Sequence, residues 1–335
     1  MIKKLKLQGF KCFIDEDFDI EPLTVLSGLN SSGKSSVLQS VRILKDKKPL
    51  DGHGPFSEFV SSHAVRFTIT AHNSEDNECL LSYGSDDIIT EGDLFDDHSL
   101  FSYISAGRLG PKTFLPIWTE TILSDVGQQG EYVLDFLDRY SEFSGLPEKL
   151  CHKASNSTSV RLNIAAWLNL ISPGVEFEYF LNRKADIGTA EFSKRRPTNV
   201  GFGLSYTLPI IANVLVYASL IANKINKSAL ILIENPEAHL HPTGQTRMGE
   251  FLAFAAASGV QIIIETHSDH ILNGIRLAVK EQHLSRDDTS FYFFSYDFDA
   301  EKSNVDRPVL DEFGMFDEWP DGFFDETEKI LGKLI

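Results

Sequence analysis

The stretch Gly28-Leu29-Asn30-Ser31-Ser32-Gly33-Lys34-Ser35-Ser36 fits the pattern G-x-x-x-x-G-K-[ST] in full. It directly follows the apolar run Leu23-Thr24-Val25-Leu26, and it opens a helical pattern with Val37, Leu38, Val41 and Leu44 on one face. Strand, glycine loop and helix in that order make a cradle for phosphate. The glycines let the backbone curl so that its N–H groups converge on phosphate oxygens, and the helix N-terminus adds its dipole. Lys34 brings a point charge to the β and γ phosphates, and Ser35 brings a hydroxyl to Mg²⁺. Asn30, Ser31, Ser32 and Ser36 supply the rest of the loop. The plainer reading, a glycine turn that merely precedes a helix, does not account for the full match. The stretch implies a nucleoside triphosphate site.

Working outward, residues 1–50 read as strand, turn, strand, phosphate loop and helix, closed by the turn run Asp51-Gly52-His53-Gly54-Pro55. From 56 to 195 the pattern changes. Val65, Phe67 and Ile69 alternate as a strand, a polar and acidic loop follows, and helical segments fall at Tyr132 to Tyr140 and Leu162 to Ile171. No internal repeat and no sustained heptads are found. Strong α/β signals return after 196. A long apolar helix follows Ser205, with Pro209 near its first turn. Ala229–Ile233 and Val260–Ile264 are continuous apolar runs, as expected of strands covered on both faces. Gln245 to Ala257 and Asp269 to Lys280 read as helices. The expected organisation is therefore a split nucleotide domain. Its halves fall at 1–55 and 196–300, an α/β lid region is inserted at 56–195, and an acidic, aromatic tail follows at 301–335.

The chain has 335 residues, enough for one large domain or two modest ones, and its 42% hydrophobic and 24% charged content is that of a soluble globular protein. No stretch reads as a membrane span, and the alternating start Met1 to Leu7 lacks the apolar core of a signal peptide. Cys12, Cys79 and Cys151 are scattered and odd in number, which suggests neither a disulfide framework nor a cysteine metal site. These features point to the cytoplasm and away from the membrane. The net charge of −17 weighs against a general polyanion binder. Acids gather at Asp86 to Asp97 and from Asp311 to Glu328. Bases gather at Arg183, Lys184, Lys194, Arg195 and Arg196, which read as a solvated loop or a local DNA contact.

The strand Ala229–Ile233 ends in Glu234-Asn235-Pro236-Glu237-Ala238-His239-Leu240-His241-Pro242. A carboxylate at the C-terminal end of a buried parallel strand lies where an α/β sheet keeps its ligand chemistry, so Glu234 is expected to hold the water shell of Mg²⁺. The next strand ends in Glu265-Thr266-His267-Ser268, and His267 can sense the γ-phosphate. Gly201-Phe202-Gly203-Leu204-Ser205, at the start of the long apolar helix, offers a second phosphate-binding surface through Gly201, Gly203 and Ser205. A metal shared by His239 and His241, joined by His267 or His270, is the lesser reading of that segment.

This order of motifs resembles the ABC-class ATPases of the RecF, SMC and OLD type, over residues 1–50 and about 198–295. The resemblance implies an α/β P-loop fold with a mixed central sheet and flanking helices. Leu5 to Phe13 is similar to the family's first strand and the loop, here with Lys11, that approaches the adenine end of the nucleotide. Gly201 to Ser205 looks like the signature that binds the γ-phosphate held by the other subunit. The family thus implies ATP, Mg²⁺ and a head-to-tail homodimer or higher oligomer. In it, Ser35 and Glu234 hold the metal, His239-Leu240-His241 falls at the dimer-contacting loop, and His267 is the switch histidine. Tyr103 to Pro111, Val126 to Glu131 and Glu318 to Asp325 extend the likeness to compact ATP-binding proteins of bacterial antiphage defence cassettes.

Two positions depart from that pattern. Where the family has a carboxylate as general base, this chain has Asn235, whose amide can orient a water but not take its proton at neutral pH. Glu237 is the nearest candidate base. Tyr206 stands where the signature often continues with glutamine. Arg108, in a glycine- and proline-rich turn, reads as a structural salt bridge, with phosphate or carboxylate contact as the alternative. The C-terminal aromatics Phe313, Phe316, Trp319, Phe323 and Phe324 read as packing on the body. Three functions stay open: an ATPase whose nucleotide-driven pairing controls a separate nuclease or toxin effector in antiphage defence, a RecF-like DNA-repair clamp, and a nucleotide-gated scaffold with little hydrolysis.

Overall fold

The computed structural model describes all residues except 86, 141, 321, 323, 325 and 335, and describes residues 326–329 without their side chains. Asp86 of the first acidic run, and Asp321, Phe323 and Asp325 of the tail, therefore lie outside the described residues. In chain order the first elements are β1 (Ile2–Phe10), β2 (Phe13–Asp19), β3 (Leu23–Gly28), α1 (Lys34–Asp46), β4 (Arg66–Asn73), β5 (Glu78–Gly84), β6 (Asp87–Glu91), β7 (Ser99–Ile104), β8 (Leu115–Pro116), α2 (Val133–Tyr140) and α3 (Val160–Ile171). There follow β9 (Phe177–Asn182), β10 (Ile187–Phe192), α4 (Phe202–Ala222), β11 (Ser228–Glu234), α5 (Pro242–Ala256), β12 (Val260–Glu265), α6 (Asp269–Lys280), β13 (Thr289–Asp297), β14 (Lys302–Asp306) and α7 (Glu326–Leu334). The protein is a mixed α/β fold. It divides into two compact units, one of Met1–Asp96, Asp287–Asp311 and Met315–Ile335, the other of Asp97–Arg286 and Glu312–Gly314. These boundaries differ from the four segments expected from the sequence.

In the first unit, alternation along β1 buries Leu5, Leu7 and Phe10 while Lys4 and Gln8 stay exposed. That half-buried strand pairs antiparallel with β2 and with β4, and β5 and β6 extend the same sheet. The segment after residue 55 thus continues the sheet begun by β1. Val65, expected to open β4, precedes it and is 89% exposed. Phe10, Phe56, Phe59 and Phe67 pack edge to face and stacked, with ring centroids 5.3 to 6.4 Å apart. Each fully buried ring contributes about 1.5–3 kcal/mol. A second ladder joins β3 parallel to β13, with Gly28 opposite Phe294, and β13 antiparallel to β14. In the tail, Phe316 packs on Phe291 at 5.0 Å and Trp319 on Phe316 at 5.3 Å, whereas Phe313 is largely exposed.

In the second unit β11 lies between β7 and β12, all three parallel. The residues Ala229–Ile233 and all of β12 are buried, as two-sided cover requires. A small antiparallel sheet has the order β8-β10-β9. Helix α4 departs from expectation in three ways. It begins at Phe202, before Ser205, and Pro209 stands inside the helix, not at its first turn. Proline there leaves the Ser205 carbonyl without its usual amide partner. By length and composition α4 is also apolar enough to cross a membrane, contrary to expectation, but 83% of its most apolar window is buried inside the protein. Apolar residues on every side of a helix are what a core position demands. Helix α5 starts at Pro242, three residues earlier than expected, with the His241 ring accepting from the Thr243 amide. Proline at the first helical position lacks only an N–H that would have no partner there.

The basic cluster is partly neutralised. Asp135 on α2 is fully buried, and it binds Arg139 at 3.0 Å and Arg183 at 3.2 Å, while Arg183 also reaches Asp138 at 2.5 Å. Arg183 thus pairs with α2, which counts against the lesser of the two readings of that cluster, a local DNA contact.

Candidate functional site

The phosphate loop lies in the first unit. Gly28, Ser31 and Gly33 have φ of +132°, +61° and +110°, and these left-handed turns curl the loop between β3 and α1. At Gly28 a side chain is excluded, since a Cβ would lie 2.1 Å from the Phe294 carbonyl oxygen. A Cβ on Gly33 would meet Cys12, Ser303 and Phe13 at 2.8 to 2.9 Å. Asn30 and Ser31 are exposed at the loop tip, and Ser35 and Ser36 are half-buried in the first turn of α1. Lys34 bends back over the loop, with Nζ donating to the carbonyls of Gly28 (3.1 Å) and Leu29 (2.6 Å).

The loop is braced from below by residues the sequence reading missed. Ser32 Oγ donates to the Leu29 carbonyl at 2.7 Å, and Ser303 Oγ on β14 donates to the Ser32 carbonyl at 2.6 Å. The Leu29 amide donates to the Phe294 carbonyl at 3.1 Å. No motif marks Ser303, because it is 271 positions from Ser32. Lys11, in the β1–β2 turn, donates to Gln39 on α1 at 2.5 Å and lies 4.9 Å from the Phe59 ring centroid. Burial holds its ammonium below the usual lysine range.

The second unit assembles the remaining motif residues. Glu234, at the end of β11, accepts from Tyr103 Oη at 2.8 Å and from the Ala106 amide at 2.9 Å, one on each carboxylate oxygen. Tyr103 was visible only as part of a familiar phrase. Its place opposite Leu232 on the parallel neighbour β7 gives it that reach. Asn235 follows with φ +45°, a left-handed position that asparagine tolerates better than most residues. Its amide donates to the Glu265 carbonyl at 2.8 Å. Glu237 accepts from Thr266 Oγ1 and from the His267 amide, both at 2.8 Å. Burial pushes its carboxyl above the usual range, while those two bonds and the Arg108 charge work against that rise. Each carboxylate oxygen can accept a second hydrogen bond, so both remain competent to receive a proton. The His267 side chain is exposed at the end of β12.

The glycine-serine turn meets the histidine segment here. A Cβ on Gly203 would lie 2.7 Å from the His239 carbonyl, so glycine permits this approach. The His239 ring packs against Tyr206 at 4.6 Å and Phe202 at 5.3 Å. Gly201 and Phe202 are exposed, and Ser205 is half-buried. His239 and His241 are thus an aromatic contact and a helix cap. Among the described residues no group of three or more His, Cys, Asp or Glu side chains is arranged to hold a metal. The oxygen donors Ser35 and Glu234 suit Mg²⁺ in chemical type. Arg108 corrects the salt-bridge expectation: its guanidinium donates to the carbonyls of Ser105 (2.9 Å), Glu234 (2.7 Å) and Asn235 (2.6 Å).

A family model described as an AAA ATPase domain matches residues 1–106 and 169–272. The chain belongs to that family of ATP-binding domains. A second model, described as a protein of unknown function (DUF3696), matches residues 284–334. Comparison with curated proteins found no match. Among solved structures the chain is similar to the Smc head domain with an extended coiled coil bound to the C-terminal domain of ScpA, derived from Pyrococcus furiosus. That match has 12% identity, covers 99% of each chain and has a TM-score of 0.54. The SmcHead bound to the C-winged helix domain of ScpA matches at 13% identity over 92% of this chain and 98% of that one, with a TM-score of 0.54. The SMC head domain from Thermotoga maritima matches at 13% identity over 91% and 98%, with a TM-score of 0.50. The fold is that of an SMC-like, ABC-class ATPase.

Proposed function

We propose that this chain binds and hydrolyses ATP with Mg²⁺, and that nucleotide-driven pairing of two copies controls a separate effector, a nuclease or toxin in antiphage defence. The observation that carries the ATPase reading is Glu237, a carboxylate held at a strand end by Thr266 and the His267 amide. In this reading the turns of 28–36 and Lys34 take the triphosphate, Lys11 lies toward the adenine end, and Ser35 and Glu234 are the residues that would hold the metal ion. Bound Mg²⁺ would offset charge on the phosphate oxygens. Asn235 orients the attacking water, Glu237 receives its proton on a carboxylate oxygen, and His267 senses the γ-phosphate. Gly201, Gly203 and Ser205 serve the nucleotide of the second copy. The exposure of Gly201 and Phe202 supports that role.

Turnover of wild type, Lys34→Ala and Glu237→Gln tests the chemistry. Wild-type turnover no higher than that of Lys34→Ala would leave a nucleotide-gated scaffold. Mass measurement with and without ATP tests pairing. ScpA seated on an SMC head in the solved complexes supports control of a protein partner. A RecF-like clamp predicts ATP-dependent duplex binding that weakens with salt. The commitment of Arg183 to Asp135 and Asp138 weighs against it.

A further inference from the structure

Arg108 is 2% exposed, yet among the described residues its charge meets no carboxylate at bonding distance. Three of its hydrogen bonds go to main-chain carbonyls, and two of those belong to Glu234 and Asn235, the turn that ends the carboxylate strand. Its Nε is buried and, among the described residues, has no partner. On its other side the guanidinium lies 5.3 Å from the centroid of the Tyr206 ring, on the first turns of α4. Tyr206 packs in turn on His239, and Gly203 sits beneath the His239 carbonyl. Gly110, two residues beyond Arg108, has the Phe202 ring where its Cβ would be.

A buried cation is costly to keep unless its geometry is needed. Burial lowers the Arg108 pKa to about 10, still protonated at neutral pH, with Glu237, Tyr206, Glu234 and Tyr103 as the groups whose field supports the charge. The planar fork is what lets one side chain hold two successive carbonyls of a turn while its face rests on a ring. A lysine ammonium has no such plane. The Asn235 backbone, in a left-handed conformation, is the part of the turn most in need of an external hold.

We propose that Arg108 is a positioning residue that couples the first turns of α4, through Tyr206, to the Glu234–Asn235 turn, and so sets the orientation of Glu234 and Glu237 for ATP hydrolysis. It rests on the ATPase reading above. A shift of Tyr206 as a nucleotide meets the Gly201–Ser205 turn is passed to the Glu234–Asn235 turn, and through its backbone to the carboxylates, by the guanidinium that lies over the ring and holds the two carbonyls.

The test uses the full chain with Arg108→Lys, Arg108→Met, Tyr206→Leu and the Arg108→Lys/Tyr206→Leu pair. Calorimetric affinity for ATP with Mg²⁺ should stay within about twofold of wild type, while kcat falls by about tenfold or more in Arg108→Lys, the scale of one lost charge-assisted hydrogen bond. Hydrogen exchange without nucleotide supplies the independent readout. Tyr206→Leu should speed exchange at the Asn235 amide in the wild-type background and add nothing in the Arg108→Lys background. Wild-type kcat in Arg108→Lys overturns the proposal, as does a Tyr206→Leu effect on the Asn235 amide that is the same in both backgrounds. Absence of wild-type turnover refutes the ATPase reading alone, and the exchange cycle then decides whether Arg108 couples the two turns.

Discussion

Replacing Ser303 with alanine removes a buried hydroxyl that donates at 2.6 Å to the Ser32 carbonyl beneath the phosphate loop. Ser303 and Ser32 are both nearly inaccessible to water, so no solvent molecule takes over the bond. A typical buried hydrogen bond contributes about 1 kcal/mol, and leaving its acceptor unsatisfied costs about 1–3 kcal/mol. The Cβ of Ser303 remains, and its amide still donates to the Cys12 carbonyl at 3.0 Å. The loss falls on the order of residues 31–33, whose left-handed turns at Ser31 and Gly33 depend on being held. At about 1.4 kcal/mol per tenfold, a cost of 1–3 kcal/mol expressed in the loop weakens ATP binding by about 5- to 150-fold. Titration calorimetry of wild type, Ser303→Ala and Lys34→Ala measures this, with circular dichroism melts reporting stability in parallel. An ATP affinity equal to wild type in Ser303→Ala would refute the reasoning, since it would mean the loop keeps its shape without β14.

Gly28→Ala forces a Cβ to within 2.1 Å of the Phe294 carbonyl at a φ of +132°, and urea unfolding should show a loss of about 3 kcal/mol or more. Glu237→Gln should lower kcat by about 10²- to 10⁴-fold with ATP binding kept. The acidic limb of wild-type kcat should lie above the ordinary carboxyl value of 4.5, because burial raises the Glu237 pKa. The same shift means that this group's contribution to stability is full below its unfolded pKa and is lost as pH rises through the folded value, so melts of Glu237→Gln should gain on wild type toward neutral pH. Arg139→Leu strips the closest cation from fully buried Asp135 and should cost about 3 kcal/mol in chemical unfolding, even with Arg183 in place.

The parts of the fold legible in the sequence were those carried by short-range pattern. The phosphate loop, the apolar runs at β11 and β12, and α6 from Asp269 to Lys280 declare themselves within a dozen residues. Glycine at 203 was legible as a motif, though its physical reason, the His239 carbonyl, is not local. Boundaries failed at helix starts: α4 opens at Phe202 behind Gly201, which has no side-chain cap, and α5 opens at Pro242 behind the His241 cap. The bracing residues were hidden for a different reason. Ser303, Tyr103 and Thr266 reach the site through hydrogen bonds across 271, 131 and 29 positions, a separation at which sequence pattern assigns none of them that role, even for Tyr103 and Thr266, which lie in motif-bearing stretches. Arg108 was visible but misassigned, because a sequence shows that a guanidinium is present and not that carbonyls surround it. Asn235 looked like a lost base, and its backbone conformation supplies a reason of its own for asparagine.

The dependence of residues 28–33 on β13 and β14 also has a consequence for synthesis. A ribosome makes the glycine loop early, yet the strand that pairs with β3 and the hydroxyl beneath Ser32 arrive only when residues 289–306 have been added. Contacts of such long range close late, after their loop entropy has been met. During translation the loop is therefore made well before the strands that hold it. Competence to hold ATP then marks a chain translated at least through β14, and products that stop before Thr289 should be silent toward it.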